Sequence, residues 1–282
     1  MKPNPGLPEY LMEAAGLGIF MLSACVFATL LEDPHSALRA SASGALLADA
    51  FSRRCLMGAA MAVTAVVIFY SPWAKRSGAH INPAVTLTFW RLGRIGGADA
   101  MLYFVFQFVG GTLGVALASI PAGNGISSPF VNYAVTVPGR GGTAVALLAE
   151  TGICFAMMAA VLVCSSFERL QRFGGLACAT LLAIFIVFES PLSGTSLNPA
   201  RTFASAIAAG IWTDAWIYFV APPLGMLAAA QVYLLVQQLA VARRDRRATA
   251  GDTRKISILA GNDATTAASD RRGCTASAHQ AA

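Results

Sequence analysis

Charge is scarce in this sequence. Asp, Glu, Lys and Arg make up 12% of its 282 residues, about half the share found in a soluble domain, which argues against a fold with water on every side. Histidine is scarcer still, with only His35, His80 and His279. A serine nucleophile is inert without a neighbouring base. The "GTS" at 194–196 lacks both a following glycine and a histidine on a plausible partner segment, so a serine hydrolase is set aside. Six cysteines are present, at 25, 55, 154, 164, 178 and 274, none with metal-ligand spacing and five in or beside apolar runs. They read as small apolar packing residues, not as a disulfide framework or a metal site. No dinucleotide or phosphate loop is present, and nothing suggests nucleic-acid readout. The chain is not read as an enzyme, and no cofactor, metal or nucleic-acid partner is expected.

What the sequence has is apolar length. Hydrophobic residues make up 56% of it and the mean hydropathy is +0.61. A bilayer core needs about 20 apolar residues per helix. Six stretches qualify, at 10–31, 55–71, 98–120, 143–164, 174–188 and 215–239, the fifth of them short. The expectation is an integral, multi-pass protein of the lipid bilayer. "LSAC" at 22–25 resembles a lipoprotein cleavage box, but the apolar run continues past it and Glu13 lies inside the supposed signal core, so an uncleaved span is expected.

Lys75, Arg76, Arg91 and Arg94 follow span two, and Arg169 and Arg172 follow span four. With the tail, this bias puts both termini in the cytoplasm and suggests the plasma (inner) membrane; Arg53 and Arg54 lie on the other side, against the trend. After position 240 there are eight Lys or Arg and four Asp, a net of +4 out of +6 for the chain. Residues 1–9 are read as a cytoplasmic N-terminus, 10–240 as the membrane domain, and 241–282 as a disordered basic cytoplasmic tail.

The organising feature is a repeat. "SGAHINPAVTLTF" at 77–89 and "SGTSLNPARTFAS" at 193–205 share six of thirteen positions. Glu13 in span one is echoed by Glu150 in span four. Each unit (about 10–120 and 143–240) reads as a span carrying Glu, a second span, the Asn-Pro-Ala stretch, and a third span. Three spans is an odd number, so the second unit enters from the other side, giving an inverted repeat.

Asn-Pro-Ala has a physical meaning. Asparagine caps a helix and proline suits its first position. Here the helices start at Asn82-Pro83-Ala84 and Asn198-Pro199-Ala200, and the apolar runs after them last about ten residues, or about 15 Å, half a bilayer. Two such half-helices from opposite sides can meet in the middle. Their unpaired N–H groups are tolerated there only beside protein or water. Each N-terminus acts as about +0.5 charge. Two of them about 4 Å from a proton, at an effective dielectric near 20, cost it roughly 4 kcal/mol.

With "SGAHINPAVT", "SGTSLNPAR", the paired Glu13 and Glu150, and "APPLG" at 221–225, the sequence resembles the aquaporin, or major intrinsic protein, family over about 9–239. The resemblance implies an all-α membrane protein with six transmembrane helices plus two re-entrant half-helices in an inverted repeat around one pore, assembled as a homotetramer. It implies that Arg201 belongs to a narrow outer filter and donates to a passing oxygen. Thr195 would supply an acceptor there, and Ile186 and a residue of span two would complete the ring. That residue is Met61 by the family's helix pattern, or Ala62 by counting back from Asn82. Glu13 and Glu150 would hold the half-helix loops by accepting backbone N–H bonds, and His80 would orient loop carbonyls. Small residues at Gly16, Gly110, Gly111, Gly114 and Gly152 suggest close helix crossings.

The permeant is less sharply written. Thr202, Ala206 and Tyr218-Phe219 stand where glycerol-conducting members carry Asp, a basic residue and Pro-Leu, and so lean to water. Ile186 stands where water-selective members usually carry His, and leans to a wider, less polar filter. The expectation is a passive channel for water, passing small neutral solutes and excluding protons and ions. A glycerol facilitator of the same fold is the alternative, and a proton-coupled secondary transporter, with Glu13 or Glu150 as relay, a remote one.

Overall fold

The computed structural model describes residues 5–41 and 45–244. Among them every regular element is helical. We number the main helices α1 (Leu7–Glu32), α2 (Ala50–Tyr70), α3 (Pro83–Arg91), α4 (Gly97–Ala122), α5 (Gly142–Ser166), α6 (Gly174–Phe188), α7 (Pro199–Ala209) and α8 (Ile217–Arg244). Residues Met1–Gln231 form one compact unit. Val232–Arg244, the end of α8, belong to a second, where Gln237 donates to the Tyr233 hydroxyl at 2.6 Å.

Six of the helices are the expected spans, and α3 and α7 are the two half-helices. Five spans are long and apolar enough to cross a bilayer by themselves. The sixth, α6, has 15 residues, about 22 Å at helical rise. A further turn, Ser190–Ser193, follows it after Glu189. Of the tail expected to be disordered from 241, Val241–Arg244 instead continue α8; the rest of it, 245–282, lies outside the described residues. At the other end α1 starts at Leu7, inside the expected N-terminal segment, with the Glu9 carboxylate accepting the Gly6 N–H at 2.9 Å. α1 runs unbroken through the "LSAC" box.

Small residues set the closest helix approaches. A Cβ on Gly110 of α4 would lie 2.1 Å from the Ala14 carbonyl oxygen of α1, and one on Gly114 2.2 Å from that of Gly18. The second copy repeats the contact: a Cβ on Gly225 of α8 would lie 2.3 Å from the Thr151 carbonyl oxygen of α5. Gly111 fits between Leu17 and Ala204, whereas Gly16 makes room for Ile81 of the first re-entrant loop. Gly152 departs from expectation. It sits on the exposed face of α5 with open space where its Cβ would be, so it makes no close crossing; Gly225 does that work from α8.

The outer faces are apolar, with Val63 and Val67 of α2 and Val105, Val109, Leu113 and Leu117 of α4 exposed. Several polar side chains lie inside instead: Glu13, Gln107 and Glu150 are fully buried. This is the arrangement a hydrocarbon solvent demands, because polar groups there must find partners within the protein. The half-helix α7 is keyed in by Phe203, whose ring meets Phe108 at 5.2 Å and Trp212 at 5.8 Å between centroids.

The arginines that ran against the charge trend have local partners. Arg53 pairs with Glu32 at 2.8 Å, and Arg54 donates to the Val187 carbonyl at the end of α6 at 3.0 Å. Beside them, Asp49 caps α2 by accepting the Ser52 N–H at 2.9 Å, and that bond holds its carboxyl below the usual carboxylate range.

Candidate functional site

Both half-helices start as the sequence dictates. Pro83 and Pro199 occupy the first helical position. The Asn82 side-chain oxygen accepts the Ala84 N–H at 2.9 Å, and that of Asn198 accepts the Ala200 N–H at 3.0 Å and the Arg201 N–H at 3.3 Å. Gly210 ends α7 at φ +67°, and Gly93 lies just past the end of α3 at φ +69°, the left-handed backbone that glycine adopts without strain.

The two starts meet. Asn82 Nδ2 donates to the Leu197 carbonyl and Asn198 Nδ2 to the Ile81 carbonyl, each at 2.8 Å. Each cap is thus fixed by the backbone of the opposite copy. A carboxamide nitrogen carries two N–H groups; one on each side is spent on this crossing.

The loops leading to the caps are wound alike. Gly78, Ala79 and Ile81 have φ of +98°, +52° and +40°, and Gly194, Thr195 and Leu197 have +83°, +52° and +59°. For the non-glycines this conformation costs roughly 1–2 kcal/mol each, so something must hold it. Glu13 does so in the first copy, accepting the Ser77 hydroxyl at 2.7 Å, the His80 N–H at 3.0 Å and the Ile81 N–H. Glu150 does so in the second, accepting the Ser193 hydroxyl at 2.6 Å, the Ser196 N–H at 3.2 Å and the Leu197 N–H. A tyrosine completes each clamp: Tyr103 donates to the Ser77 carbonyl at 2.7 Å and Tyr218 to the Ser193 carbonyl at 2.5 Å. His80 lies within the first loop, its Nδ1 3.0 Å from the Thr86 hydroxyl and its ring against Phe89 and Tyr103.

A cavity of about 640 Å³ opens on one side of the paired asparagines. Its lining includes Gly78 to Asn82, Ser196 to Asn198, Ala65 and Phe69 of α2, and Cys178 and Leu182 of α6. It stops at the asparagine pair, and none of Met61, Ile186, Thr195 or Arg201 lines it. Helical spacing carries the same wall onward: Met61 is one turn from Ala65 and Ile186 one turn from Leu182. Met61 is buried and Ala62 only half-buried. Of Ile186 and Thr195, only Thr195 has a bond to the end of α6, its hydroxyl lying 3.2 Å from the carbonyl of Phe185, the residue before Ile186. Met61 and Arg201 have no hydrogen bond to that pair, and Arg201 Nη1 is buried without a hydrogen-bond partner among the described residues.

Two inverted units, capped by Asn-Pro-Ala tips that bond to each other, make one continuous site from both halves of the chain. The pattern of the Major intrinsic protein family matches residues 13–233. The chain belongs to this family. Among its relatives, this major intrinsic protein is 34% identical over 182 residues to "Aquaporin NIP2-2" of Zea mays, covering 64% of this chain and 58% of that protein. It is 34% identical over 191 residues to "Probable aquaporin AqpM" of Archaeoglobus fulgidus, covering 63% and 74%. The chain thus spans a little over half the length of several plant relatives it matches. The solved aquaglyceroporin from Plasmodium falciparum has the same fold, with a TM-score of 0.64 at 20% identity over 80% of this chain and 95% of that one.

Several residues of the site were not singled out in the sequence. Gln107 of α4 donates to Glu13 at 2.9 Å and to the Thr86 hydroxyl at 3.1 Å. Ser77, Ser193 and Tyr103 belong to the clamps, as does Tyr218, which the sequence marked only as a branch indicator. The serines head the two repeated stretches, 116 positions apart, whereas the tyrosines lie 115 apart, so aligning the copies finds the serines and sets Tyr103 opposite Phe219. The Thr202 hydroxyl meets those of Thr136 at 2.8 Å and Ser196 at 2.5 Å, and no spacing in the sequence signals that contact.

Proposed function

We propose that this major intrinsic protein is a passive channel that conducts water, passes small neutral solutes, and excludes protons and ions. The reciprocal pairing of Asn82 and Asn198 carries this reading. It leaves one N–H on each carboxamide for a single file of oxygen-bearing molecules, between two helix N-termini that disfavour a cation. Glu13 and Glu150 are committed to backbone and hydroxyl donors, which supports scaffolding and disfavours a proton relay.

On this reading Met61, Ile186, Thr195 and Arg201 form the selectivity filter, on the far side of the asparagines from the cavity. The buried, unpartnered Nη1 of Arg201 supports a donor kept for the permeant, since an unsatisfied buried donor is otherwise costly. The continuation of the α2 wall from Ala65 supports Met61 over Ala62. His80 steadies the inner loop. Thr202, tied to Thr136 and Ser196, supports water as the principal permeant, while Ile186 leaves the filter apolar enough for small neutral solutes.

Both termini lie in the cytoplasm and the membrane is the plasma membrane. Lys75, Arg76, Arg91 and Arg94 after span two and Arg169 and Arg172 after span four support this orientation by outnumbering Arg53 and Arg54 on the other side. Four copies assemble, each with its own pore.

Stopped-flow shrinkage of proteoliposomes tests the function. Water efflux should exceed that of empty liposomes and outpace glycerol re-swelling, with no dependence on a proton gradient. Glycerol flux as fast as water would move the protein to the facilitator branch, and gradient dependence would refute a passive channel. In the same assay Arg201→Ala should raise the glycerol-to-water ratio.

A further inference from the structure

The two copies differ most tellingly around the second re-entrant loop. Where the first copy has Trp73, Ala79 and Val85, the second has Glu189, Thr195 and Arg201, each pair 116 positions apart. The serine, backbone and tyrosine bonds that hold the loops recur in both copies, so these three differences are not needed to build a re-entrant loop.

Glu189 is the least expected of the three. It sits between α6 and the following turn, and is 7% exposed. Its Oε2 accepts the Thr195 hydroxyl at 2.5 Å. Its Oε1 is buried and has no hydrogen-bond partner among the described residues. A buried carboxylate oxygen left without a donor costs stability, and the scaffold already has Glu150 for the same loop.

We propose that Glu189 is a positioning residue of the filter: it takes the Thr195 hydroxyl as a donor and so fixes which face of Thr195 the permeant meets. A hydroxyl has one hydrogen. Committed to a carboxylate, the strongest acceptor within reach, it is no longer free to donate into the pore. Arg201 is then left as the filter's side-chain donor, and Thr195 presents acceptor character. The side chain is also held at one rotamer between Glu189 and the Phe185 carbonyl, which gives the filter a stiff wall at the copy that carries Arg201. This inference rests on the assignment of Thr195 and Arg201 to the filter.

The test is the ratio of glycerol to water permeability in proteoliposomes, which does not depend on how much channel is incorporated. Glu189→Ala and Thr195→Val should each raise the ratio severalfold, by freeing or removing the same hydroxyl. The double variant should go no further than either alone, because one contact is lost only once. Glu189→Gln keeps an acceptor oxygen and should restore a ratio near that of the unaltered protein. A merely structural role for Glu189 would lower both fluxes together and leave the ratio unchanged; that result, with Arg201→Ala still shifting the ratio, overturns the proposal and spares the filter. An unchanged ratio in Arg201→Ala overturns both. Should Glu189→Ala not reconstitute, Thr195→Val decides: an unchanged ratio there also overturns the proposal.

Discussion

Asn82 and Asn198 hold each other's loops. Each carboxamide donates to a carbonyl of the opposite copy, at Leu197 and Ile81, and both bonds are 2.8 Å long. The position of each helix start is therefore fixed by the other copy's loop.

Replacing Asn198 by Asp removes the donor to Ile81 and sets a negative charge at the helix start. An opposing unit charge at this distance is comparable with the roughly 4 kcal/mol by which two half-charges repel a cation at about 4 Å. Asn198→Asp should therefore leak protons or sodium at least tenfold faster than the parent while still passing water. A pH-sensitive dye inside proteoliposomes measures it, and an unchanged ion flux would refute the role of the helix ends.

Glu13 and Glu150 each answer for two backbone N–H groups in strained loops. Glu13→Ala or Glu150→Ala leaves them unsatisfied, at about 1–3 kcal/mol per group. Both variants should unfold at lower temperature in detergent, Glu13→Ala by more, since it also strands the Gln107 amide that donates to Glu13 at 2.9 Å. Glu→Gln keeps one acceptor and should lose less. Tyr103→Phe and Tyr218→Phe should form a matched pair, each losing about 1 kcal/mol.

The glycines give a sharper contrast. Gly110→Ala and Gly225→Ala force a methyl to 2.1 Å and 2.3 Å from a carbonyl of the neighbouring helix, and overpacking of this kind costs about 1–3 kcal/mol or more. Gly152→Ala meets nothing and should be neutral, or stabilising by up to about 1 kcal/mol through helix propensity. Thermal unfolding of the three variants, compared side by side, checks the order.

Cys164 and Cys178 both line the cavity below the asparagines. A small maleimide reaching it from the side that carries Lys75 and Arg172 should cut water flux severalfold. The Cys164→Ser/Cys178→Ser protein should not respond. Inhibition that survives in the double variant would show that the reagent acts elsewhere.

Much of this was written in the sequence, for definable reasons. Apolar length located all six spans, α6 to the residue, because a bilayer fixes the length a helix must have. Asn-Pro-Ala located both half-helices, because capping chemistry is local. The pairing of Glu13 with Glu150 was legible as symmetry. What stayed hidden depends on contacts between distant segments: Gln107 reaching Glu13, Gly225 pressing on Thr151, Glu189 taking the Thr195 hydroxyl. Gly152 misled because a small residue permits a close approach without requiring one; which face of α5 it occupies is decided by the neighbours. The end of α8 was set too early because helical propensity outlasts the apolar run, and Val241–Arg244 stay wound.

The crosswise caps also bear on how the chain is made. The first tip waits for a carbonyl at Leu197, which is 115 residues downstream of Asn82. A ribosome adds about 5–20 residues per second, so for something on the order of ten seconds the first re-entrant segment stands in the membrane without its counterpart. Half of this protein cannot be finished alone, and the insertion machinery or water must shelter an unclosed polar end until the second half arrives.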